Sequence, residues 1–293
     1  MKLKEVLDKT TAFFREKKIE SPRLDAELLF SHGLKLERIQ LYLKFDQPLS
    51  EDELATLREL VRRRGQGEPV AYILGYRDFF GHRFIVDNST LIPRPETEHL
   101  VEEALNWATE KEHEWHLLDL GSGTGCVGLS LLKALPKARL LSVDVSAEAL
   151  KVAQQNAQKL EVLDRVRFLH ADAGDAERVM AAFKDFMGHD SADIILSNPP
   201  YIAENDSAVE ENVKKYEPST ALFAPDEGLA LLKKWSRDYT PYLSKESLFL
   251  MEMGMSQGPA MLAHFHGLKT FDEIRVVRDL AELDRVIYGG KNG

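Results

Sequence analysis

From residue 115 onward, the chain alternates between short apolar runs and amphipathic segments, and this alternation limits the possible folds more than any other feature. The apolar runs predict strands at residues 115–120, 138–144, 166–170, 192–196 and 248–252. Helices are predicted at residues 96–110, 124–134, 147–160 and 227–239. Alternating strands and helices favour an α/β fold with a doubly wound, mostly parallel sheet. The last two apolar runs, at residues 275–278 and 285–288, predict an antiparallel pair of strands.

Two regions precede this α/β region, which we place at residues 96–293. Residues 1–75 predict a small helical domain, because apolar residues recur at helical spacing and Ser50 with Glu53 has the spacing of a capping box. Residues 76–95 predict a hairpin followed by an extended linker, since glycine and proline punctuate two β-prone runs.

Composition limits the compartment in which such a chain can work. The single cysteine, Cys126, excludes a disulfide framework and fits a reducing environment. The first five residues mix charged and apolar side chains, so they do not resemble the apolar core of a signal peptide. No apolar run approaches the length needed to cross a membrane. We therefore predict a cytoplasmic protein with no membrane partner.

Charge is distributed unevenly along the chain, whose net charge is −10. Residues 1–75 contain 14 lysines and arginines against 13 acidic residues, whereas residues 76–293 contain 24 against 35. Proteins that grip nucleic acid neutralise phosphates with clustered Lys and Arg. The acidic α/β region therefore predicts no direct nucleic-acid binding.

A glycine-rich segment, residues 119–125, follows the first predicted strand of the α/β region and opens a helix. Glycines allow a tight turn and a close approach of a ligand to the backbone, and a helix N-terminus presents free N–H groups. Asp144 ends the next strand, where a carboxylate can accept both ribose hydroxyls. The dinucleotide fingerprint requires glycine at its sixth position, which is Cys126 here. The segment resembles instead motif I of Rossmann-like S-adenosylmethionine methyltransferases.

The second chemical motif is Asn198-Pro199-Pro200-Tyr201, which directly follows a predicted buried strand. Proline has no N–H for the ladder, so the chain must leave the sheet there as a stiff loop. The motif resembles the (Asn/Asp)-Pro-Pro-(Tyr/Phe/Trp) signature of methyltransferases that modify planar nitrogen. If the Asn198 side-chain oxygen and the Pro199 carbonyl accept the two N–H groups, they free the nitrogen lone pair and stabilise developing positive charge. Tyr201 would pack on the flat group, and no metal is required.

Further blocks of sequence identify the chain as a member of the HemK/PrmC family of release factor glutamine N5-methyltransferases. These blocks are residues 68–75, residues 91–98, residues 217–218 with 221–222, residues 227–229, and residues 278–280 with 284–285. The resemblance implies a seven-stranded methyltransferase domain behind a small N-terminal helical bundle. It implies methylation of the glutamine in the Gly-Gly-Gln motif of class I peptide chain release factors, with S-adenosylmethionine as the cofactor.

The resemblance also implies roles for individual residues. The cofactor residues are Gly121, Ser122, Gly123, Thr124, Gly125, Asp144 and Asn198, with Asp172 and Ala173 at a position where some relatives carry a tryptophan. The catalytic and glutamine-binding residues are Asn198, Pro199, Pro200 and Tyr201. A nucleic-acid amino-methyltransferase acting on adenine or guanine and a cofactor-binding module without activity stay open as alternatives. Glu252 ends a predicted strand, and its role is open.

Overall fold

A computed structural model describes residues 1–109, 113–206 and 210–293. The chain forms two compact units. Unit 1 consists of Met1–Tyr76 and Glu211–Tyr216, and unit 2 of Arg77–Glu210 and Glu217–Gly293. Residues 211–216, which the sequence places in the α/β region, thus belong to the helical unit.

Unit 1 is built from helices around a core of leucine and phenylalanine. Its helices are α1 (Leu3–Glu16), α2 (Pro22–Leu34), α3 (Arg38–Leu43), α4 (Glu51–Gly65), α5 (Val70–Leu74) and the short helix Glu211–Tyr216. The capping box of α4 forms as predicted, because Ser50 Oγ accepts the Glu53 N–H at 3.2 Å and Glu53 Oε2 accepts the Ser50 N–H at 2.8 Å. Leu7, Phe14 and Phe30 are fully buried in the core.

Unit 2 contains a seven-stranded sheet and two pairs of short strands. The strands are β1 (Tyr76–Phe79), β2 (His82–Ile85), β3 (His116–Leu120), β4 (Arg139–Asp144), β5 (Val166–His170), β6 (Ala192–Ser197), β7 (Ile202–Ala203), β8 (Phe223–Ala224), β9 (Leu243–Glu252), β10 (Glu273–Arg278) and β11 (Asp284–Lys291). The large sheet has the order β10-β11-β9-β6-β3-β4-β5. Its strands from β9 to β5 are parallel, and β11 is antiparallel to both β9 and β10.

Helices cover both faces of this sheet. In chain order they are α6 (Glu98–Trp107), α7 (Cys126–Ala134), α8 (Ala147–Lys159), α9 (Ala176–Met187), α11 (Ala230–Tyr239) and α12 (Gly258–Leu268), while the label α10 belongs to the Glu211–Tyr216 helix of unit 1. Neighbouring residues of one strand enter different cores: Leu117 packs in one apolar cluster and Leu118 in the other. This period of two explains why the central strands carry apolar residues for both faces of the sheet. The predicted doubly wound, mostly parallel sheet is confirmed.

Some predicted boundaries need correction. Helix α11 begins at Ala230 rather than at residue 227, because Asp226, Glu227 and Gly228 adopt left-handed φ values of 55°, 54° and 84° and cannot continue a right-handed helix. Helix α6 ends at Trp107, and the predicted end at residue 110 lies outside the described residues. Across the described ranges, no helix combines the length and the apolar character that a membrane span requires.

Candidate active site

The glycine-rich loop between β3 and α7 is a tight turn. Gly121, Gly123 and Gly125 have φ values of 72°, 54° and 76°, which favour glycine because it has no Cβ. The Val143 carbonyl accepts the Gly121 N–H at 2.9 Å and the Ser122 N–H at 3.0 Å. The loop is therefore pinned to the end of β4 before α7 begins.

Asp144, the last residue of β4, also holds this loop. Its Oδ2 accepts the Gly123 N–H at 2.8 Å, and its Oδ1 accepts the Ser146 N–H at 2.8 Å. Burial raises the pKa of Asp144, and these two backbone donors oppose the increase. Helix α8 is capped by Ser146, whose Oγ accepts the Ala149 N–H at 3.1 Å, so Asp144 is not the cap.

Asp119 lies directly behind the loop, in the buried part of β3. It is 2% exposed, and its Oδ2 accepts the Gly128 N–H of α7 at 3.2 Å. Burial raises the pKa of Asp119 to about 7, and the charge of Asp144 adds to the increase. Asp119 therefore changes charge near neutral pH.

We expect Asp119 to make the ligand-free protein less stable as the pH rises from about 4 to about 7. The ordinary pKa of 3.8 applies to the unfolded chain, which loses the Asp119 proton before the folded protein does. The stabilisation is complete below the unfolded pKa and is lost as pH rises through the folded pKa, with a slope of at most about 1.4 kcal/mol per pH unit. Urea unfolding of the parent and of Asp119→Asn, between about pH 5 and 8, measures this. The free energy of unfolding of Asp119→Asn should rise relative to that of the parent as the pH increases. A difference that does not change with pH would refute the raised pKa assigned to Asp119.

The Asn198-Pro199-Pro200-Tyr201 loop leaves the sheet directly after β6. The Ser197 hydroxyl donates to the Leu120 carbonyl at 2.7 Å, which ties the end of β6 to the end of β3. The Asn198 Nδ2 donates to the Thr97 Oγ1 at 3.2 Å. Asn198 Oδ1 accepts no hydrogen bond from any residue in the described ranges.

Glu252, the last residue of β9, and Gln257, which follows this strand, fix the position of Tyr201. The Tyr201 hydroxyl donates to Glu252 Oε1 at 2.8 Å, and burial beside this carboxylate raises the pKa of Tyr201 well above its ordinary value. The Gln257 Nε2 donates to the Tyr201 carbonyl at 2.9 Å and to the Glu227 carbonyl at 3.0 Å. A Cβ on Gly228 would lie 1.9 Å from the Tyr201 carbonyl oxygen, so only glycine allows this approach. The loop is therefore held from both its side-chain and its backbone groups.

Two segments of unit 2 are joined to each other by Glu217. The Arg94 Nη2 contacts Glu217 Oε1 at 2.6 Å, and the Ile92 N–H donates to Glu217 Oε2 at 3.1 Å. The Glu217 side chain is almost fully buried. Segment 89–97 is thereby joined to segment 217–221, and both contribute side chains to the same cavity.

The cavity at the carboxyl ends of the strands has a volume of about 270 Å³. It brings together most of the predicted site residues: Gly121, Ser122, Gly123, Thr124, Asp144, Asp172, Ala173, Asn198 and Pro200. Gly125, Pro199 and Tyr201 do not line it. Ser122 Oγ and Trp235 Nε1 belong to lining residues, are buried and have no hydrogen-bond partner among the described residues. Since unpaired buried polar atoms are costly, they indicate contacts reserved for a ligand.

Sequence reasoning assigned no site role to Thr97, Glu217, Trp235 or Gln257, and it left Glu252 open. Each of these residues belongs to a segment that is separate in sequence from the two motifs, so its spacing from a motif does not indicate a role in the site. The His113 and Trp115 ring centroids lie 4.2 Å apart with the rings tilted by 56°, and His116 Nδ1 lies 3.1 Å from Asp193. Within residues 1–109, 113–206 and 210–293, no group of His, Cys, Asp and Glu could hold a metal ion.

The fold and the cavity define the class of the protein. A mostly parallel sheet with a glycine-rich loop after β3, an acidic residue after β4 and Asn-Pro-Pro-Tyr after β6 is the arrangement of S-adenosylmethionine-dependent methyltransferases. The fold is similar to the N-terminal domain of human METTL16 in complex with SAH, with a TM-score of 0.53, 17% identity and coverage of 78% of this chain and 83% of that chain. The lining of the cavity fits a nucleoside ligand with a charged tail. It combines the Asp144 carboxylate and the unpaired polar atoms of Ser122 and Trp235 with apolar side chains.

Relatives of similar length define the family within this class. The model described as PrmC N-terminal domain matches residues 5–75, and the model described as Methyltransferase small domain matches residues 100–217. The release factor glutamine methyltransferase of Chlorobaculum tepidum is 41% identical over 96% of this chain and 94% of its own length. That of Koribacter versatilis is 36% identical over 99% of both chains. The chain belongs to the release factor glutamine methyltransferase family, as the sequence motifs predicted.

Proposed function

We propose that this chain transfers a methyl group from S-adenosylmethionine to the side-chain amide nitrogen (N5) of the glutamine in the Gly-Gly-Gln motif of class I peptide chain release factors. The observation that carries the proposal is the state of Asn198. Its Nδ2 donates a hydrogen bond to Thr97 Oγ1, and the residue lines the cavity. Its Oδ1 is therefore available to a hydrogen-bond donor of the substrate. A primary amide such as glutamine presents two N–H donors.

The chemistry follows from the acceptors on the rigid loop. An amide nitrogen is a poor nucleophile because its lone pair is delocalised into the carbonyl. Asn198 Oδ1 and the Pro199 carbonyl would accept the two N–H groups, favour a pyramidal nitrogen and stabilise the positive charge that develops on it. Tyr201, held by Glu252 and Gln257, would fix the loop in the position that the reaction requires. S-adenosylmethionine, when bound, supplies an activated methyl group on its sulfonium.

We assign the remaining wall of the cavity to the cofactor. Gly121 to Gly125 and Asp144 would bind it, with the Asp144 carboxylate accepting from the ribose hydroxyls. Asp172 and Ala173, after β5, would lie beside the base. Because the substrate acts in translation, we place the reaction in the cytoplasm.

A nucleic-acid amino-methyltransferase is the alternative, since an adenine or guanine amine also presents two N–H groups. The charge distribution argues against it, because residues 76–293 contain 24 basic and 35 acidic side chains. Binding to the phosphates along a nucleic acid requires an excess of basic over acidic side chains. A cofactor-binding module without activity is also disfavoured, because cofactor binding alone does not require the Asn198–Tyr201 loop.

Methyl transfer from labelled S-adenosylmethionine tests the proposal. The paired substrates are a class I release factor and its Gly-Gly-Gln→Gly-Gly-Ala variant, with DNA and ribosomal RNA assayed in parallel. We expect label on the glutamine form alone. Label on nucleic acid would favour the alternative, and equal label on both release factor forms would show that another residue is modified.

A further inference from the structure

The proposed reaction places a strict demand on the Asn198 amide. Its two ends have nearly the same shape, but only Oδ1 accepts a hydrogen bond, whereas Nδ2 donates. If the amide turned over, Nδ2 would face the substrate N–H groups and repel them. Something in the protein must therefore determine which end faces the cavity.

Thr97 is the residue that contacts the far end of this amide. Its Oγ1 accepts from the Asn198 Nδ2 at 3.2 Å, and the residue is only 2% exposed. A threonine hydroxyl can accept, but it also carries one proton to donate. If that proton pointed at Asn198, the amide would turn its oxygen toward Thr97 instead. The orientation of Asn198 thus depends on where the Thr97 proton goes.

Glu252 is the acceptor for that proton. Its carboxylate is 2% exposed, and its Oε1 is occupied by the Tyr201 hydroxyl at 2.8 Å. Its Oε2 is buried and lacks a partner at normal hydrogen-bond geometry among the described residues. Burial raises the pKa of Glu252, and the hydroxyls of Thr97 and Tyr201 lower it against this larger increase. Glu252 thus has one buried oxygen without a partner, and no acceptor among the described residues is assigned to the Thr97 proton.

We propose that Thr97 and Glu252 are positioning residues that set the orientation of the Asn198 amide. In this arrangement the Thr97 hydroxyl donates a hydrogen bond to the free oxygen of Glu252, so Thr97 can only accept from Asn198, and Asn198 Oδ1 is left facing the cavity. This inference rests on the proposed function in one respect, namely that Oδ1 accepts an N–H of the substrate amide. Tyr201 shares the same carboxylate, so both side chains of the motif are held by one buried group.

Thr97→Val tests the positioning role of Thr97, because it keeps the shape of the side chain and removes the hydroxyl. We expect kcat for release factor methylation to fall about tenfold or more, while the Kd for S-adenosylmethionine stays within about twofold. Thr97→Ser restores the hydroxyl, so kcat should return to within about threefold of the parent value. Thr56→Val, at an exposed position in α4, is the matched control and should leave both quantities unchanged.

The Asn198 side-chain NH₂ group gives a readout that does not depend on activity. Its amide protons should be protected from solvent exchange in the parent and in Thr97→Ser, and should lose this protection in Thr97→Val. Three outcomes would overturn the positioning role of Thr97 and Glu252. They are a parental kcat in Thr97→Val, equal losses of kcat in the Val and Ser variants, and a loss of cofactor affinity that parallels the loss of kcat. If the parent itself failed to label a release factor, the proposed function would fail, and the exchange measurement would still decide the positioning role.

Discussion

We expect Asn198→Ala to lower kcat for release factor methylation by about a hundredfold to a thousandfold, the usual effect of removing one preorganised polar group from a transition state. The Kd for S-adenosylmethionine should change by no more than about twofold. The reason is that Asn198 Oδ1 would act where positive charge develops, whereas the glycine loop and Asp144, which line the same cavity, would bind the cofactor. Single-turnover transfer of label and calorimetric titration of the cofactor measure the two quantities separately.

Asn292→Ala is the control for this prediction, because Asn292 is exposed and lies far along the chain from both motifs. It should retain parental kcat and Kd. Comparable losses of turnover and cofactor affinity in Asn198→Ala would contradict the role assigned to Asn198. That outcome would show that the residue holds the cavity together rather than the substrate amide.

Asp144→Ala should weaken cofactor binding by about a hundredfold or more, because each hydrogen bond to a charged group contributes about 1.5–3 kcal/mol. The substitution would remove the proposed ribose acceptor. It would also remove the acceptor of the Gly123 and Ser146 N–H groups, each of which donates to the Asp144 carboxylate at 2.8 Å. The glycine loop would then lose the side-chain contact that holds it open toward the cavity. Calorimetric titration with S-adenosylmethionine gives the affinity directly.

Asp185→Ala provides the matched control, since the Asp185 side chain is exposed and its ion pair with Arg167 lies on the surface. Exposed ion pairs contribute little, so cofactor affinity should stay at the parental value. If Asp144→Ala bound the cofactor as tightly as the parent, Asp144 would have to be removed from the proposed site.

Much of unit 2 could be predicted from short stretches of sequence. Strand β5 (Val166–His170) has the predicted bounds, and β6 extends only one residue beyond the prediction, to Ser197. Strand β6 is apolar enough to be buried on both faces, whereas the edge strand β5 buries Val166 and exposes Arg167 and His170. The two motifs line one cavity because parallel strands present their carboxyl ends at the same edge of the sheet. The roles proposed for the individual residues of those motifs stay predictions until the substitutions are made.

The sequence was less informative where conformation depends on single backbone angles. Asp226 and Glu227 are left-handed although neither is glycine, and this delays the start of α11. Their conformation is supported by the approach of Gly228 to Tyr201 and by Gln257, whose Nε2 donates to the Glu227 carbonyl at 3.0 Å. No local propensity predicts such a turn, since the supporting groups come from other segments.

The sequence by itself determined the α/β class, the capping box at Ser50, the glycine turn after β3 and the loop after β6, because each depends on residues within a few positions of one another. Only the tertiary structure decided which distant side chains complete the site. Thr97 meets Asn198 across 101 positions, and Arg94 meets Glu217 across 123. Likewise, only packing assigned residues 211–216 to the helical unit. Local patterns specify elements through propensity and burial, whereas such contacts exist only after the sheet has ordered its strands.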